Sequence, residues 1–320
     1  MASESFHTES IDAGTRGALT DHPRTWRDDT YVYPVISRRS GGLSIGVNLN
    51  LDKACNFDCV YCQVDRRASS ARREIEVDRL EVELQRMLRV AESGEIWHDV
   101  RFRDVSARWR HLADIVLSGD GEPTMCPQFE RALGVVIACR DRHVPDVPIV
   151  VMTNGTTLDR PEIVSALDRL DRAMDQVWVK MDAGTSEHFN AIDRSAFSYD
   201  RLIRQIVAYG RRRPIVIQSM LFEGVAGCDV RDVLDALSDQ LYDMIARGCQ
   251  IALVQLYSIA RPPAQCQLRP VAADLLSQFC RVLGERLPGV GIEVFPGVTA
   301  ANSPAVAGVQ DAHDAHDAQR

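Results

Sequence analysis

The amino-acid sequence predicts an α/β protein built on a mainly parallel sheet. Apolar runs of five to nine residues alternate with longer, charged amphipathic stretches, the order expected of repeated βα units. In several runs, polar side chains gather on one face toward the C-terminal end. A barrel places its site at that end, with one strand face turned to the helices and the other to the lumen.

Taken in order, residues 1–30 are polar and read as a disordered segment. The first strong strand is 43–51. Ile45, Val47, Leu49 and Leu51 share one face, and Ser44, Gly46, Asn48 and Asn50 share the other. A charged helical pattern follows at 74–91, and 93–112 has the look of an insertion on the first crossover. Further strands are expected at 113–118, 148–153, 176–182, 214–221 and 251–257, with a last short one at 291–295. Helices fill the gaps at 127–142, 160–170, 198–212, 229–247 and 271–287. In 176–182, Trp178, Lys180 and Asp182 alternate with Val177, Val179 and Met181; in 251–257, Gln255 and Tyr257 oppose Ala252, Val254 and Leu256. Asn48, Asn50, Lys180, Gln218, Gln255 and Tyr257 are therefore the expected polar lumen, or else satisfied polar groups of the core. The tail 301–320, with Asp311, His313, Asp314 and His316, is low in complexity and expected to be disordered.

Composition narrows the function. The chain has 320 residues, 45% of them hydrophobic, enough for a sizeable core. A net charge of −8 argues against broad, nonspecific nucleic-acid binding. No apolar stretch approaches the length of a membrane span, and nine cysteines in a chain this long do not suggest a disulfide scaffold. A reducing cytoplasm is the expected compartment.

Three of those cysteines, Cys55, Cys59 and Cys62, stand in a C-x3-C-x2-C run. Thiolates this close in sequence can hold an iron–sulfur cluster on one loop, and a four-iron cluster with three protein ligands leaves one iron open. Zinc would ask for a fourth protein ligand, which the neighbouring sequence does not offer. After the next strand come Ser118-Gly119-Asp120-Gly121-Glu122-Pro123-Thr124, where glycine permits close backbone approach and a carboxylate could accept from an ammonium group. Thr153-Asn154-Gly155 ends the strand after that.

These motifs resemble the radical S-adenosylmethionine (SAM) superfamily. With Tyr33–Gly42, Gln63–Arg66 and Gln255–Pro263, they look like its iron–sulfur oxidoreductase group related to wyosine synthases, over roughly residues 31–300. The resemblance implies a partial (β/α)6 TIM-type barrel as core domain. It implies a [4Fe-4S] cluster on Cys55, Cys59 and Cys62, with Tyr61 as the usual aromatic neighbour. It assigns SAM's methionyl amine to Gly121 and Glu122, a SAM contact to Asn154 and the SAM ribose to Asp182; Asp120 stands where that motif usually has its first glycine. The implied activity is reductive cleavage of SAM to a 5′-deoxyadenosyl radical that abstracts hydrogen, driven by a flavodoxin- or ferredoxin-type donor. The substrate, whether small molecule, peptide or tRNA, is left open, as are the hydrogen-abstraction residues. Relatedness to wyosine synthases raises tRNA, and Arg66, Arg67, Arg72 and Arg73, or Arg211, Arg212 and Arg213, could meet phosphates, though solvated helix surface is the simpler reading of both runs. An alternative is a cluster- and SAM-binding redox or cluster-handling protein without turnover. Cys139, Cys249 and Cys280 fall on helical patterns as small core residues, and Cys126 falls near the glycine motif.

Overall fold

A computed structural model describes residues 5–6, 11–66, 74–261 and 267–297. The elements in chain order are β1 (Ser5–Phe6), α1 (Ala13–Thr20), β2 (Val32–Ser37), β3 (Gly42–Val47), α2 (Val77–Glu92), β4 (Leu112–Leu117), α3 (Phe129–His143), β5 (Ile149–Thr153), α4 (Pro161–Leu167) and β6 (Gln176–Lys180). They continue with α5 (Ser186–Ile192), α6 (Tyr199–Gly210), β7 (Ile215–Met220), β8 (Phe222–Glu223), α7 (Val230–Ala246), β9 (Ile251–Tyr257), β10 (Arg269–Pro270), α8 (Ala273–Arg286) and β11 (Gly291–Phe295).

Among the described residues, nine strands form one sheet in the order β1-β11-β9-β7-β6-β5-β4-β3-β2; β8 and β10 pair separately and antiparallel. Within the large sheet, only β2 among the described strands runs antiparallel to its neighbour. From β3 to β11 each new strand of the sheet lies beside the last, so the order never reverses as it does in doubly wound sheets. A sheet wound in one direction keeps its helices on one face and curls, as a barrel does.

The two faces bury different things. Ile45, Val47, Val177, Val179, Val254 and Leu256 belong to the large core beneath the helices. Val116, Val150, Trp178 and Val216 form a separate apolar cluster on the other face. Two residues further along β6 and β7, on the same face, Lys180 stands level with Gln218, Gln218 with Gln255, and Gln255 with Glu293 of β11. Gln218 donates to Gln255 at 2.7 Å, and Gln255 to Glu293 at 3.1 Å, so this polar row satisfies itself.

One expectation needs correction. Within the segment read as disordered, residues 11–30 carry α1, capped by Asp12, and bury Ala18, Leu19 and Trp26. Their partner is the insertion: Ser106 donates its amide to Thr15 at 2.9 Å, and Trp26 meets Phe102 at 6.2 Å between ring centroids. Those contacts join positions some 80 residues apart, and no local pattern announces them. The insertion in turn buries Ile96, Phe102 and Val105. The tail 301–320, and with it the His/Asp run, lies outside the described residues, as do Arg67, Arg72, Arg73 and Cys266.

Candidate active site

The cysteine loop leaves the C-terminal end of β3 and is fixed from three sides. Phe57 and Val60 are buried and anchor it in the core, with Phe57 edge-on to Phe189 of α5 at 5.3 Å. The amides of Asp58 and Val60 donate to the carbonyls of Asp193 and Ile192 at the end of α5. Asn56 donates to Thr156 at 2.8 Å and accepts from Asn154 at 2.7 Å. On the third side, the Glu122 amide donates to the Ala54 carbonyl at 3.0 Å. Loops after β3, β4 and β5 thus meet at one end of the sheet, where parallel strands aim their C-termini.

The three cysteines are free, half-buried, and line one cavity of about 330 Å³. Tyr61, Gly121, Glu122 and Asn154 line it too. Burial pushes the Cys55 and Cys59 thiols up, so in the chain alone they hold their protons until a metal displaces them. Among the described residues, no three His, Cys, Asp or Glu side chains converge as a single metal ion requires. A four-iron cluster makes a different demand, one thiolate on each of three separate irons, and three free thiols on one cavity wall fit it. Arg66 donates to Cys62 Sγ at 3.6 Å and to the Lys53 carbonyl, which puts a cation against the sulfur. Asn154 Nδ2 lies 3.9 Å from Cys55 Sγ.

Glu122 is buried in a cage of donors. Its Oε1 accepts from the Thr124 amide at 3.2 Å, the Thr124 hydroxyl, and the Thr153 hydroxyl at 2.7 Å. Among the described residues its Oε2 accepts only the Asn154 amide, at 2.7 Å, and keeps room for one more donor. Burial raises the Glu122 pKa, and these hydrogen bonds oppose the rise. Gly121 lies so close to the cysteine loop that a Cβ there would fall 2.0 Å from the Ala54 carbonyl oxygen.

Asp182 takes a different place from the one expected. It is fully buried and absent from the cavity wall. Its oxygens accept the Met220 amide at 2.7 Å, the Tyr61 hydroxyl and the Lys180 ammonium at 2.6 Å. Lys180 also pairs with Asp193 and lies over the rings of Phe57 and Tyr61. Two carboxylates hold this lysine protonated, its pKa raised well above the ordinary value although burial opposes them.

Of the expected lumen, Lys180, Gln218 and Tyr257 line the cavity. Gln255 stands behind Gln218, and Asn48 braces the loop of Asp120, donating to its carboxylate at 2.8 Å. Asn50 is buried beneath the same loop. Cys126, Cys139, Cys249 and Cys280 are core residues. Arg211 and Arg212 are exposed, whereas Arg213 is buried and donates to the carbonyls of Leu170, Asp171 and Asp175.

Several wall residues escaped the sequence reading. His22 and Arg24 come from the segment thought disordered, and Arg24 pairs with Asp120. Arg38, Arg39 and Arg261 come from stretches noted only as resemblances. Arg66 was read as part of a basic run open to phosphates or solvent, whereas its place four residues after Cys62 was the signal for its contact with that sulfur.

The family model for the radical SAM superfamily matches residues 49–237, well over half of the chain. The chain belongs to the radical SAM superfamily. It is accordingly a radical SAM enzyme, with a [4Fe-4S] cluster and SAM as its cofactors. Among similar proteins, the GTPase Obg of Brachyspira hyodysenteriae is 24% identical over 56% of this chain, and the match spans only 23% of that protein. A UPF0026 protein of Methanocaldococcus jannaschii is 22% identical over 79% of this chain and 70% of its own length. A structure of TYW1 with a lysine-pyruvate adduct bound superposes with a TM-score of 0.51 at 12% identity, covering 81% of this chain and 85% of the other. At that identity the likeness speaks for the fold, and it agrees with the partial barrel expected for this radical SAM chain. Among the described residues, no helix is long and apolar enough to cross a membrane.

Proposed function

We propose that Cys55, Cys59 and Cys62 hold the cluster and that the cavity beside them binds SAM for radical hydrogen abstraction from a substrate. The core domain is taken as residues 31–300. The observation that carries this reading is the convergence of three free thiols and the half-satisfied Glu122 carboxylate on one cavity. When bound and reduced by a flavodoxin- or ferredoxin-type donor, the cluster supplies the electron that cleaves SAM to methionine and a 5′-deoxyadenosyl radical.

The chain's own residues orient and exclude. The open position on Glu122 Oε2 receives the methionyl ammonium, which favours the carboxylate form that burial alone disfavours. Gly121 lets the loop lie against the cysteine loop, so that Glu122 and Cys55 share one wall. Asn154 ties the loop after β5 to Asn56, between Cys55 and the buried Phe57. Arg66 offsets negative charge at Cys62. Asp182 acts as a positioning residue, holding Tyr61 and Lys180 against the cysteine loop.

The test is anaerobic reconstitution, reduction, and chromatography for 5′-deoxyadenosine. Slow formation without substrate is expected. Intact SAM after many hours, with the cluster fully loaded and reduced, would move the assignment to a redox or cluster-handling protein.

A further inference from the structure

The same cavity carries a chemistry that neither the cluster nor the methionyl amine uses. Arg38 and Arg39, in the turn after β2, and Arg261, just beyond β9, all line it. None of the three makes an ion pair with a carboxylate among the described residues, whereas Arg24 on the same wall is matched by Asp120. The chain has 45 acidic residues to draw on, so the lack of a partner is not for want of carboxylates. Asp114 is within electrostatic reach of Arg39, but its oxygens are engaged by the Ser40 and Ser44 hydroxyls.

Two of the guanidinium groups are held in place by neutral groups. Arg38 donates to the carbonyls of Pro296 and Ser258, beyond β11 and β9. Arg39 donates to Gln218 at 2.8 Å and lies over the rings of Tyr257 at 4.9 Å and Trp178 at 5.7 Å. Arg261 lines the cavity and has no hydrogen-bond partner among the described residues. His22 beside them has a buried Nε2 without a partner among the described residues. Burial, with mutual repulsion second, pulls Arg38 and Arg261 down to about 10, still cationic at neutral pH. Like charges gathered in a partly dry cavity cost folding energy that an arriving anion would recover.

We propose that Arg38, Arg39 and Arg261 form the recognition site for a phosphate group carried by a small-molecule substrate. The assignment rests on the radical SAM reading only in calling that molecule the substrate. Phosphate suits the site better than carboxylate because it brings about −1.5 to −2 charges and three acceptor oxygens to three guanidinium forks. A small molecule suits it better than a polymer because the arginines share a cavity of about 330 Å³ with Cys55, Cys59 and Cys62, in a chain of net charge −8.

The experiment is calorimetric titration of inorganic phosphate into the reconstituted, SAM-bound protein at low salt. Acetate and a 5′-phosphorylated oligoribonucleotide serve as comparison probes. Saturable phosphate binding is expected, with acetate weaker. Arg38→Gln and Arg261→Gln should each weaken phosphate by about tenfold or more, while SAM affinity holds. Arg131→Gln, an exposed residue paired with Asp78, should change nothing. Arg38 also fastens the β2–β3 turn, so the Arg261 variant, whose side chain bonds to no described residue, keeps the test valid if the other misfolds. No phosphate binding, or binding untouched by both substitutions, overturns the proposal. So does acetate binding as tightly as phosphate, or a parallel loss of SAM affinity, which would assign the arginines to SAM's carboxylate. Tighter binding of the oligoribonucleotide through the same arginines would replace the small molecule with nucleic acid. Phosphate binding that persists while cluster assembly or SAM cleavage fails would refute the radical reading and leave the anion site standing.

Discussion

Gly121→Ala is the most direct probe of how the two halves of the site are joined. The new Cβ would sit 2.0 Å from the Ala54 carbonyl oxygen, 2.8 Å from Asn50 Cβ and 2.9 Å from the Ala54 carbonyl carbon. Two of these three atoms are backbone, so no flexible side chain can swing away. Bringing the oxygen out to ordinary contact needs the loops to part by more than about 1 Å. The neighbouring bond from the Glu122 amide to the same oxygen is 3.0 Å long, and at that extra separation it is lost. Overpacking of this kind costs about 1–3 kcal/mol and the hydrogen bond about 0.5–1.5 kcal/mol, together about 1.5–4.5 kcal/mol. Because Ala54 precedes Cys55, the displacement passes straight into the cluster ligands. Denaturant unfolding of the metal-free protein should show the stability loss, and iron per chain after reconstitution should fall. The control is Gly17→Ala on α1, where nothing lies within 4 Å of the new methyl group. It should leave iron loading intact and stabilise by about 0.4–1 kcal/mol. A Gly121→Ala protein with wild-type midpoint and full iron loading would refute the argument that close packing of these loops builds the site.

Three further outcomes are expected. Cys55→Ala, Cys59→Ala and Cys62→Ala should each abolish the iron–sulfur absorbance of reconstituted protein, while Cys139→Ala and Cys249→Ala, both in the core, should keep it; equal effects at all five would dismiss the loop as ligand. Glu122→Gln should retain the cluster and weaken SAM about tenfold to a hundredfold, the loss of one charge-assisted hydrogen bond. Equilibrium binding decides it, and Gln is the cleaner variant because Ala would strand the donors of Thr124, Thr153 and Asn154 inside the fold. His22 gives a pH signature: burial, followed by the nearby arginines, lowers its pKa from 6.5 to about 3. Between those values the unfolded chain binds a proton that the folded chain does not, so stability falls as pH drops through this window. At pH 5 the loss is about 2 kcal/mol. His22→Asn should flatten that slope in unfolding curves taken from pH 7.5 to pH 5, and an unchanged slope would remove His22 from the arginine wall.

Elements that rest on short-range pattern were legible in the amino-acid order. Period-two alternation separated Ile45, Val47, Val177 and Val179 from Trp178 and Lys180, because a strand cannot turn neighbouring side chains to the same face. The C-x3-C-x2-C run and the Gly121-Glu122 turn were legible for the same reason: each is a local constraint, and strand order alone carries both to one end of a parallel sheet. Tertiary structure decided whatever depends on contacts between distant positions. Helix α1 is too short to stand on its own and is held by Ser106 and by the Trp26–Phe102 contact, so its sequence looked like a disordered leader. Asp182 has the right polarity for a cavity wall, yet the Met220 amide, Tyr61 and Lys180 claim it first, and no periodicity reports which donors will arrive. The arginine wall is the clearest case. Arg38 and Arg261 stand more than 200 positions apart and meet only because the sheet curls until the β2–β3 turn reaches the ends of β9 and β11. Charge summed along a chain says nothing of where like charges are brought together, and that placement belongs to the curvature of the sheet.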